Sequence, residues 1–121
     1  MKKPLLFVLL FACLSSIHLS TAAQEEVNQN MVECARNDLA KEKKVAKDRV
    51  EVRSVTRKTF PNGCLDAAQE GEMCTQALTP GHQILLFVNG EKDSPNYEYR
   101  TNGRQLRRVE GESRGRRISC Q

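Results

Sequence analysis

The chain has 121 residues, a formal net charge of +4 and only 5% aromatic residues, with no tryptophan. This length is enough for one domain, and the low aromatic content predicts a thin hydrophobic core. The positive charge is too small to indicate a protein that binds nucleic acid through its overall charge. Lys2 and Lys3 also contribute to it from a predicted leader.

Residues 1–23 have the pattern of a secretory signal peptide. Lys2 and Lys3 form a basic start, residues 5–14 are an unbroken apolar run, and residues 20–23 are small enough for cleavage by signal peptidase. The apolar run is too short to span a bilayer, and no second run follows it. We therefore expect a mature protein without a transmembrane segment.

The leader predicts a periplasmic or secreted location. A lipoprotein anchored at Cys13 is the alternative, because Cys13 follows the apolar part of the leader. Phe11, however, is bulky for the motif that directs lipid attachment. Cleavage after Ala22 or Ala23 is therefore the preferred interpretation.

Four cysteines remain after removal of the leader, and an even number in an exported small domain predicts two disulfides. Cys64 and Cys74 flank one irregular stretch, so we expect them to pair. Cys34 is then left to pair with Cys120, although two other connectivities are possible. A zinc site is not expected, because the spacing contains no C-x-x-C knuckle.

The first half of the mature chain predicts a helix followed by a strand. Residues 31–46 carry apolar side chains near helical spacing, with Asn30 as the expected N-cap. Residues 50–56 alternate and are β-branched, which is typical of a strand with one face in water. The alternation breaks between Val52 and Val55, so a β-bulge is expected there.

The second half predicts a turn and then a three-strand meander. Residues 79–81 have the sequence Thr-Pro-Gly, which favours a turn with a positive φ at glycine. Residues 84–88 are the most apolar run and are predicted as the central, buried strand. Residues 97–101 alternate, Asn102-Gly103 is a strong hairpin signal, and residues 106–109 suggest a weak last strand.

These elements predict an α+β fold in which one N-terminal helix packs on a small antiparallel sheet of three to four strands. Two disulfides are expected to fasten this fold. The predicted organisation along the chain is a signal peptide at 1–23, a flexible N-terminus at 24–30, a single domain at 31–110 and a basic tail at 111–121 tied by Cys120.

The run from Phe60 to Thr101 resembles a small exported bacterial domain of unknown function. The resemblance rests on an aromatic residue, Gly-Cys, Gly, Gln, Thr-Pro-Gly, an aliphatic strand and Tyr-Glu-Tyr-x-Thr. In this chain the matching positions are Phe60, Gly63-Cys64, Gly71, Gln76, Thr79-Pro80-Gly81, Ile84, Asn89-Gly90 and Tyr97-Glu98-Tyr99-Arg100-Thr101. The resemblance implies one fold unit and an exported location, and it implies no catalytic residue.

The residues available for catalysis are few. His82 is the only histidine after the leader, and no G-x-S-x-G motif accompanies it. We therefore expect no catalytic residues, no cofactor and no enzymatic activity. An uncharacterised hydrolase is the less favoured alternative.

The long irregular stretch between Asn62 and Gly81 is the predicted binding site. An irregular stretch of this length in a small domain must be tied down or functional, and the pair Cys64 and Cys74 can hold it in one shape. We therefore expect a small secreted binding or inhibitor-like module with a protein partner. The expected contact residues in this stretch, treated as surface residues, are Asp66, Glu70, Glu72 and Met73.

The sequence allows two alternatives to this site. The stretch could merely cover the apolar end of the sheet with Met73 packed inside, and the contact would then lie on an exposed sheet face around Tyr97, Tyr99 and Arg100. The protein could instead be an anion-binding envelope protein, although aromatic residues for stacking on nucleic-acid bases are missing. Its candidate residues are Arg104, Arg107, Arg108, Arg114, Arg116 and Arg117.

Overall fold

The computed structural model describes residues 26–120, so the predicted signal peptide, Cys13 and Gln121 lie outside the described residues. Its helices are α1 (Gln29–Lys43) and a short 3-10 helix (Lys47–Arg49). Its strands are β1 (Val50–Phe60), β2 (Thr79–Val88), β3 (Tyr97–Thr101), β4 (Leu106–Gly111) and β5 (Arg114–Ile118). Within residues 26–120, neither helix combines the length and apolar character needed to cross a membrane.

Helix α1 lies close to the predicted position, but both of its ends differ. Its N-cap is Asn28 rather than Asn30, because the Asn28 side chain accepts a hydrogen bond from the backbone N–H of Asn30 at 3.0 Å. Helical structure therefore includes residues expected to be flexible. The helix ends at Lys43 because Lys44 takes a left-handed conformation with φ 56°.

The sheet is antiparallel and its strand order is β1-β2-β3-β4-β5. It has five strands rather than the predicted three to four, because the predicted basic tail contains β5. A hairpin with Ser113 at φ 55° joins β4 to β5. Gly115 is needed there, because a Cβ atom would lie 2.3 Å from the carbonyl oxygen of Arg108.

The predicted turn at residues 79–81 is wrong, because all three residues belong to β2. Gly81 is required by a close approach rather than by a positive φ, since a Cβ atom there would lie 2.2 Å from the carbonyl oxygen of Thr101. β2 is the second strand and not the central one. Its apolar residues alternate between the two faces, with Ile84 and Leu86 buried.

The register of β1 confirms the expected bulge. The pairing with β2 shifts between Val52 and Ser54, inside the interval that the sequence indicated. β3 has the predicted bounds, and Asn102-Gly103 lies in the connection to β4 with Gly103 at φ 92°. Local patterns were therefore reliable for these elements.

Helix α1 covers one face of the sheet, which we call the helix face, and this contact forms the main core. The helix contributes four buried residues at helical spacing, and the sheet contributes the apolar residues of alternate positions. The buried members are Val32, Ala35, Leu39, Ala40, Val50, Ile84, Leu86, Val88, Tyr99 and Leu106. We call the opposite side the loop face, because the connection from β1 to β2 packs on it.

Both predicted disulfides are present. Cys34 bonds to Cys120 across 86 residues, and Cys64 bonds to Cys74 across 10 residues. In the chain-entropy model, loops of these lengths contribute about 4.5 and about 2.5–3 kcal/mol to stability. The longer crosslink joins α1 to the residues that follow β5, so it closes the fold around its core.

The packing of α1 predicts a strong dependence of stability on Leu39. Leu39 is fully buried, and Leu39→Ala should lower the free energy of unfolding by about 2–5 kcal/mol. The matched control is Leu78→Ala, because Leu78 is 77% exposed, and it should change stability by less than about 0.5 kcal/mol. Urea unfolding of the oxidised proteins measures both effects. Equal losses would contradict the packing of α1 on the sheet.

Candidate functional site

The connection between β1 and β2, residues 61–78, is called the cysteine loop here. Its first part packs on the loop face, where Cys64, Leu65 and Ala67 are buried. Leu65 and Asp66 both have left-handed backbone conformations, with φ 56° and 51°. This is unfavourable for residues with side chains, so other contacts must hold the backbone in place.

Asn62 and Arg100 provide these contacts. The Asn62 side-chain oxygen accepts hydrogen bonds from the backbone N–H groups of Cys64 and Asp66, at 3.0 and 3.1 Å. One guanidinium nitrogen of Arg100 donates to the carbonyl oxygens of Leu65 and Asp66, at 3.0 and 2.9 Å. The loop backbone is therefore held from its own start and from β3.

The second anchor is a buried ion pair between Arg107 and Glu72. Arg107 is 3% exposed, and its two terminal nitrogens donate to the two carboxylate oxygens of Glu72. Arg107 also donates to the carbonyl oxygen of Ala67 at 3.2 Å. The hydrogen bond from Arg107, together with one from the backbone N–H of Gln69, lowers the pKa of Glu72 to about 2.

This geometry changes the interpretation of the predicted contact residues. The sequence predicts Glu72 as a surface carboxylate, but the side chain is mostly buried against Arg107. Asp66 is half-buried, with its carboxylate 3.9 Å from Arg100. Glu70 is exposed, and Met73 is 94% exposed rather than packed inside. The structure thus separates the four residues into two inward-facing carboxylates and two outward-facing side chains.

The alternative contact around Tyr97, Tyr99 and Arg100 does not form an exposed face. Tyr99 is fully buried under α1, where its hydroxyl donates to Asp38 at 2.7 Å. Burial, with the Asp38 carboxylate as the second cause, raises the pKa of Tyr99 well above its usual range. Arg100 lies on the opposite side of the sheet, beneath the cysteine loop.

Tyr97 is half-buried on the helix face. The Lys43 ammonium lies 4.5 Å from the centroid of its ring and the Arg108 guanidinium 5.0 Å from it, and its hydroxyl donates to Glu91. Burial raises the pKa of Tyr97, and the hydrogen bond to Glu91 acts in the same direction. The ring is therefore enclosed by cations of the same chain.

The second half of the cysteine loop faces solvent. Residues 75–78 are exposed, and Leu78 is 77% exposed. The backbone is nevertheless fixed, because Cys74 is bonded to Cys64 and the N–H of Gly63 donates to the carbonyl oxygen of Thr75 at 2.8 Å. We call residues 70–78 the exposed arm. The exposure of Leu78 is not predictable from the sequence, because a single leucine before a strand gives no signal of exposure.

The sulfur atoms of Cys64 and Cys74 and a carboxylate oxygen of Glu72 lie within 4.8 Å of one another. The two sulfurs are bonded to each other, and the carboxylate is paired with Arg107. Thiolate ligands for a metal are therefore not available in the oxidised protein.

Three of the six arginines of the proposed anion-binding segment are used within the fold. Arg107 pairs with Glu72, Arg108 lies between the rings of Tyr97 and Tyr99, and Arg116 pairs with Asp38 at 2.8 Å. The remaining three are exposed, and they are Arg104, Arg114 and Arg117; of these, Arg117 also lies 3.8 Å from the Glu72 carboxylate. Much of the positive charge in this segment is thus neutralised by carboxylates of the same chain.

A family model described as a domain of unknown function (DUF8738) matches residues 32–108. The chain belongs to this family. The match includes most of α1, the whole cysteine loop and β1 to β3, whereas β5 lies outside it. Membership of DUF8738 confirms the resemblance to an uncharacterised domain, while bacterial origin and export stay predictions. No curated protein and no solved structure matches the chain significantly.

The ion pair between Glu72 and Arg107 predicts an acid-dependent loss of stability. Because folding lowers the pKa of Glu72 from 4.5 to about 2, its contribution is fully present above pH 4.5 and is lost as the pH falls towards 2. Glu72→Gln should therefore cost about 1.5–3 kcal/mol at neutral pH, the usual range for hydrogen bonds to charged groups. The difference in the free energy of unfolding between Glu72→Gln and the wild type should therefore shrink as the pH falls from 4.5 to about 2.

Urea unfolding at a series of pH values measures this difference. Glu70→Gln is the matched control, because Glu70 is an exposed carboxylate of the same loop. It should change stability by less than about 0.5 kcal/mol at every pH. A Glu72→Gln effect that stays constant down to pH 2, or that equals the Glu70→Gln effect, would show that the ion pair does not hold the loop.

Proposed function

We propose that this member of DUF8738 is a small exported, disulfide-bonded module that binds another protein, in an inhibitor-like manner, through the exposed arm. The observation that carries the proposal is the exposure of Met73 and Leu78, at 94% and 77%. Burying such side chains in an interface is favourable by about 1.5–3 kcal/mol each. Two such side chains on one short segment would supply apolar contact area at the centre of an interface.

The rigidity of the exposed arm supports this proposal. A flexible loop loses conformational entropy when it binds, whereas a loop already fixed in one shape loses little. Here the arm is fixed by Cys74, by the hydrogen bond to Thr75 and by the burial of Glu72 between its exposed neighbours. The proposed contact is therefore Glu70, Met73 and Leu78, and it replaces the four-residue set expected from sequence.

Site-specific photo-crosslinking in the source organism tests the proposal. A photoreactive amino acid is placed at Met73 or Leu78, and at Lys92 as the control. Lys92 is exposed in the connection after β2, at the end of that strand away from the arm. The two arm positions should crosslink to the same protein, and the Lys92 position should not.

Affinity measurements with the purified partner then test the contribution of the two side chains. The double variant Met73→Ser, Leu78→Ser should weaken binding at least about tenfold, which corresponds to about 1.4 kcal/mol. Lys92→Ser should leave the affinity unchanged. The loss of affinity caused by the double variant should depend little on salt, since it removes an apolar contact. An anion-binding surface of exposed arginines would instead lose affinity steeply as salt rises. Unchanged binding by the double variant would contradict the proposal.

Export is a separate part of the proposal. The two disulfides fit an extracellular or periplasmic protein, since these compartments are oxidising. We expect the mature chain to begin at Ala23 or Gln24, and sequencing of its N-terminus after expression in the source organism measures this. A chain that retains Met1, or that carries a lipid on Cys13, would contradict cleavage at this site.

A further inference from the structure

The two edges of the sheet differ in how they are protected. β5 forms one edge, and the cysteine loop covers it. The backbone N–H of Gly115 donates to the carbonyl oxygen of Ala68 at 2.9 Å, and that of Arg117 donates to the Gln69 side chain at 2.8 Å. A sheet edge covered in this way cannot pair with another chain.

β1 forms the other edge, and it is 11 residues long, compared with 5 for β5. Arg36 covers its start, because the Arg36 side chain donates to the carbonyl oxygen of Val50 at 2.9 Å. Within residues 26–120, no strand pairs with the outer side of β1. An open edge of this length offers a row of backbone donors and acceptors.

The register identifies which backbone groups point outward. The N–H of Asn89 donates to the carbonyl oxygen of Arg49 at 2.7 Å, so Asn89 is turned towards the chain that continues into β1. In antiparallel pairing, every second residue is turned the same way. Every second residue of β2 before Asn89 is therefore turned towards β1, whereas Ile84, His82 and Pro80 are turned away from it. The residues of β1 opposite these three direct their own backbone groups away from β2.

These outward-facing residues of β1 are Val55, Arg57 and Thr59. Pro80 supports the assignment. It lies opposite Thr59 and has no backbone N–H to donate, which is tolerated only where the ladder requires no hydrogen bond. The outer edge therefore presents N–H and C=O groups at three alternate residues.

Beyond Glu51, which lies at the start of β1, the exposed side chains that remain along this edge are apolar and then basic or neutral polar. Val52 and Val55 are 40% and 37% exposed on the helix face. Arg57 and Lys58 are exposed, and within residues 26–120 neither forms an ion pair. Arg53 is withdrawn from the edge, because it donates to the Ser94 hydroxyl at 2.7 Å and lies over the ring of Phe87.

We propose that the outer edge of β1 binds an extended acidic segment of a partner protein, which adds to the sheet as a further strand. Main-chain hydrogen bonds to Val55, Arg57 and Thr59 would supply the pairing, and side chains would supply the selectivity. An apolar residue of the segment lies beside Val55, and acidic residues lie beside Arg57 and Lys58. Opposite charges across the edge select this occupant.

A second copy of the chain fits this edge less well. A two-fold antiparallel pairing centred on Arg57, an outward-facing residue, places the exposed Arg57 side chains of the two copies opposite each other. The bulge at Arg53 also twists the strand away from a flat pairing. Basic residues and bulges on an edge discourage self-association, and the same residues attract an acidic segment.

The probe is a displayed library of random peptides of about 12 residues, which is long enough to contain a strand of the usual length of about 3–10 residues. Selection against the oxidised protein should enrich peptides in which Asp or Glu alternates with Val, Ile or Thr. A selected peptide, once synthesised, should protect the amides of Val55, Arg57 and Thr59 from hydrogen exchange. This protection distinguishes strand addition from charge attraction alone.

Charge-reversal variants complete the test. The double variant Arg57→Glu, Lys58→Glu should weaken peptide binding at least about tenfold. The matched control Lys41→Glu, Lys92→Glu changes the net charge equally at exposed positions away from the edge, and it should have less than about a twofold effect. Thermal unfolding checks that both variants are folded.

Four results would overturn the proposal. They are a selection that gives no peptide binding at β1, peptides that are not acidic, equal effects of the two double variants, and self-association of the chain through β1. Protection of the exposed arm in place of β1 would count as the first of these. The arm variants Met73→Ser and Leu78→Ser leave the β1 edge intact, so they should bind a selected peptide as the wild type does. Failure of strand addition at β1 is therefore distinguishable from failure of protein binding through the exposed arm.

Discussion

The burial of Arg107 beneath the cysteine loop is the interaction on which the loop face depends. A buried guanidinium requires a charged partner and further acceptors, because desolvation is costly. Arg107 obtains both from the loop, through the carboxylate of Glu72 and the carbonyl oxygen of Ala67. The planar fork of arginine fixes direction as well as distance. The loop must therefore take one position over β4 for this charge to be buried.

Arg100 performs the same task one strand away. The loop lacks the repeating hydrogen bonds of a helix or strand, so its carbonyl groups need other donors. Arg100 supplies them to Leu65 and Asp66, which explains how two residues with side chains keep a left-handed conformation. The disulfide between Cys64 and Cys74 then closes the loop over these anchors. The inward half holds the position, so the outward half can remain exposed without being flexible.

Sequence patterns predicted those parts of the fold that depend on neighbours in the chain. β3, the bulge after Val52 and the disulfide of the cysteine loop all follow from local alternation, composition or spacing. β5 did not, because Ile118 is the only apolar residue of this strand, and its other inward positions hold glycine and arginine. Arg116 is accommodated there by Asp38 of α1, which is 78 residues away in sequence. No local pattern reports a partner at that distance.

The candidate site was also predictable only in the features that depend on neighbours in the chain. Its position in the cysteine loop was predictable, because a long irregular stretch flanked by two cysteines is visible in the sequence. The orientation of its side chains was not. Glu70 and Glu72 are alike in sequence context, yet only Glu72 lies above Arg107. Which carboxylate becomes structural depends on the register between the loop and β4, and that register is set by tertiary packing.

The exposed arm and the open edge of β1 meet at one corner of the molecule. Thr79 pairs with Phe60, the last residue of β1, and Leu78 immediately precedes Thr79. A strand added to β1 and extended past Thr59 would therefore reach the neighbourhood of Leu78. One partner could then combine main-chain pairing along β1 with apolar contact at the arm. Coupled contacts of this kind gain affinity because the second forms at a high effective concentration, and they require the arm to keep its position relative to the sheet. That requirement gives a physical reason for the two strand arginines. The disulfide alone would close the loop on itself, whereas Arg100 and Arg107 fix the position of the loop relative to the sheet.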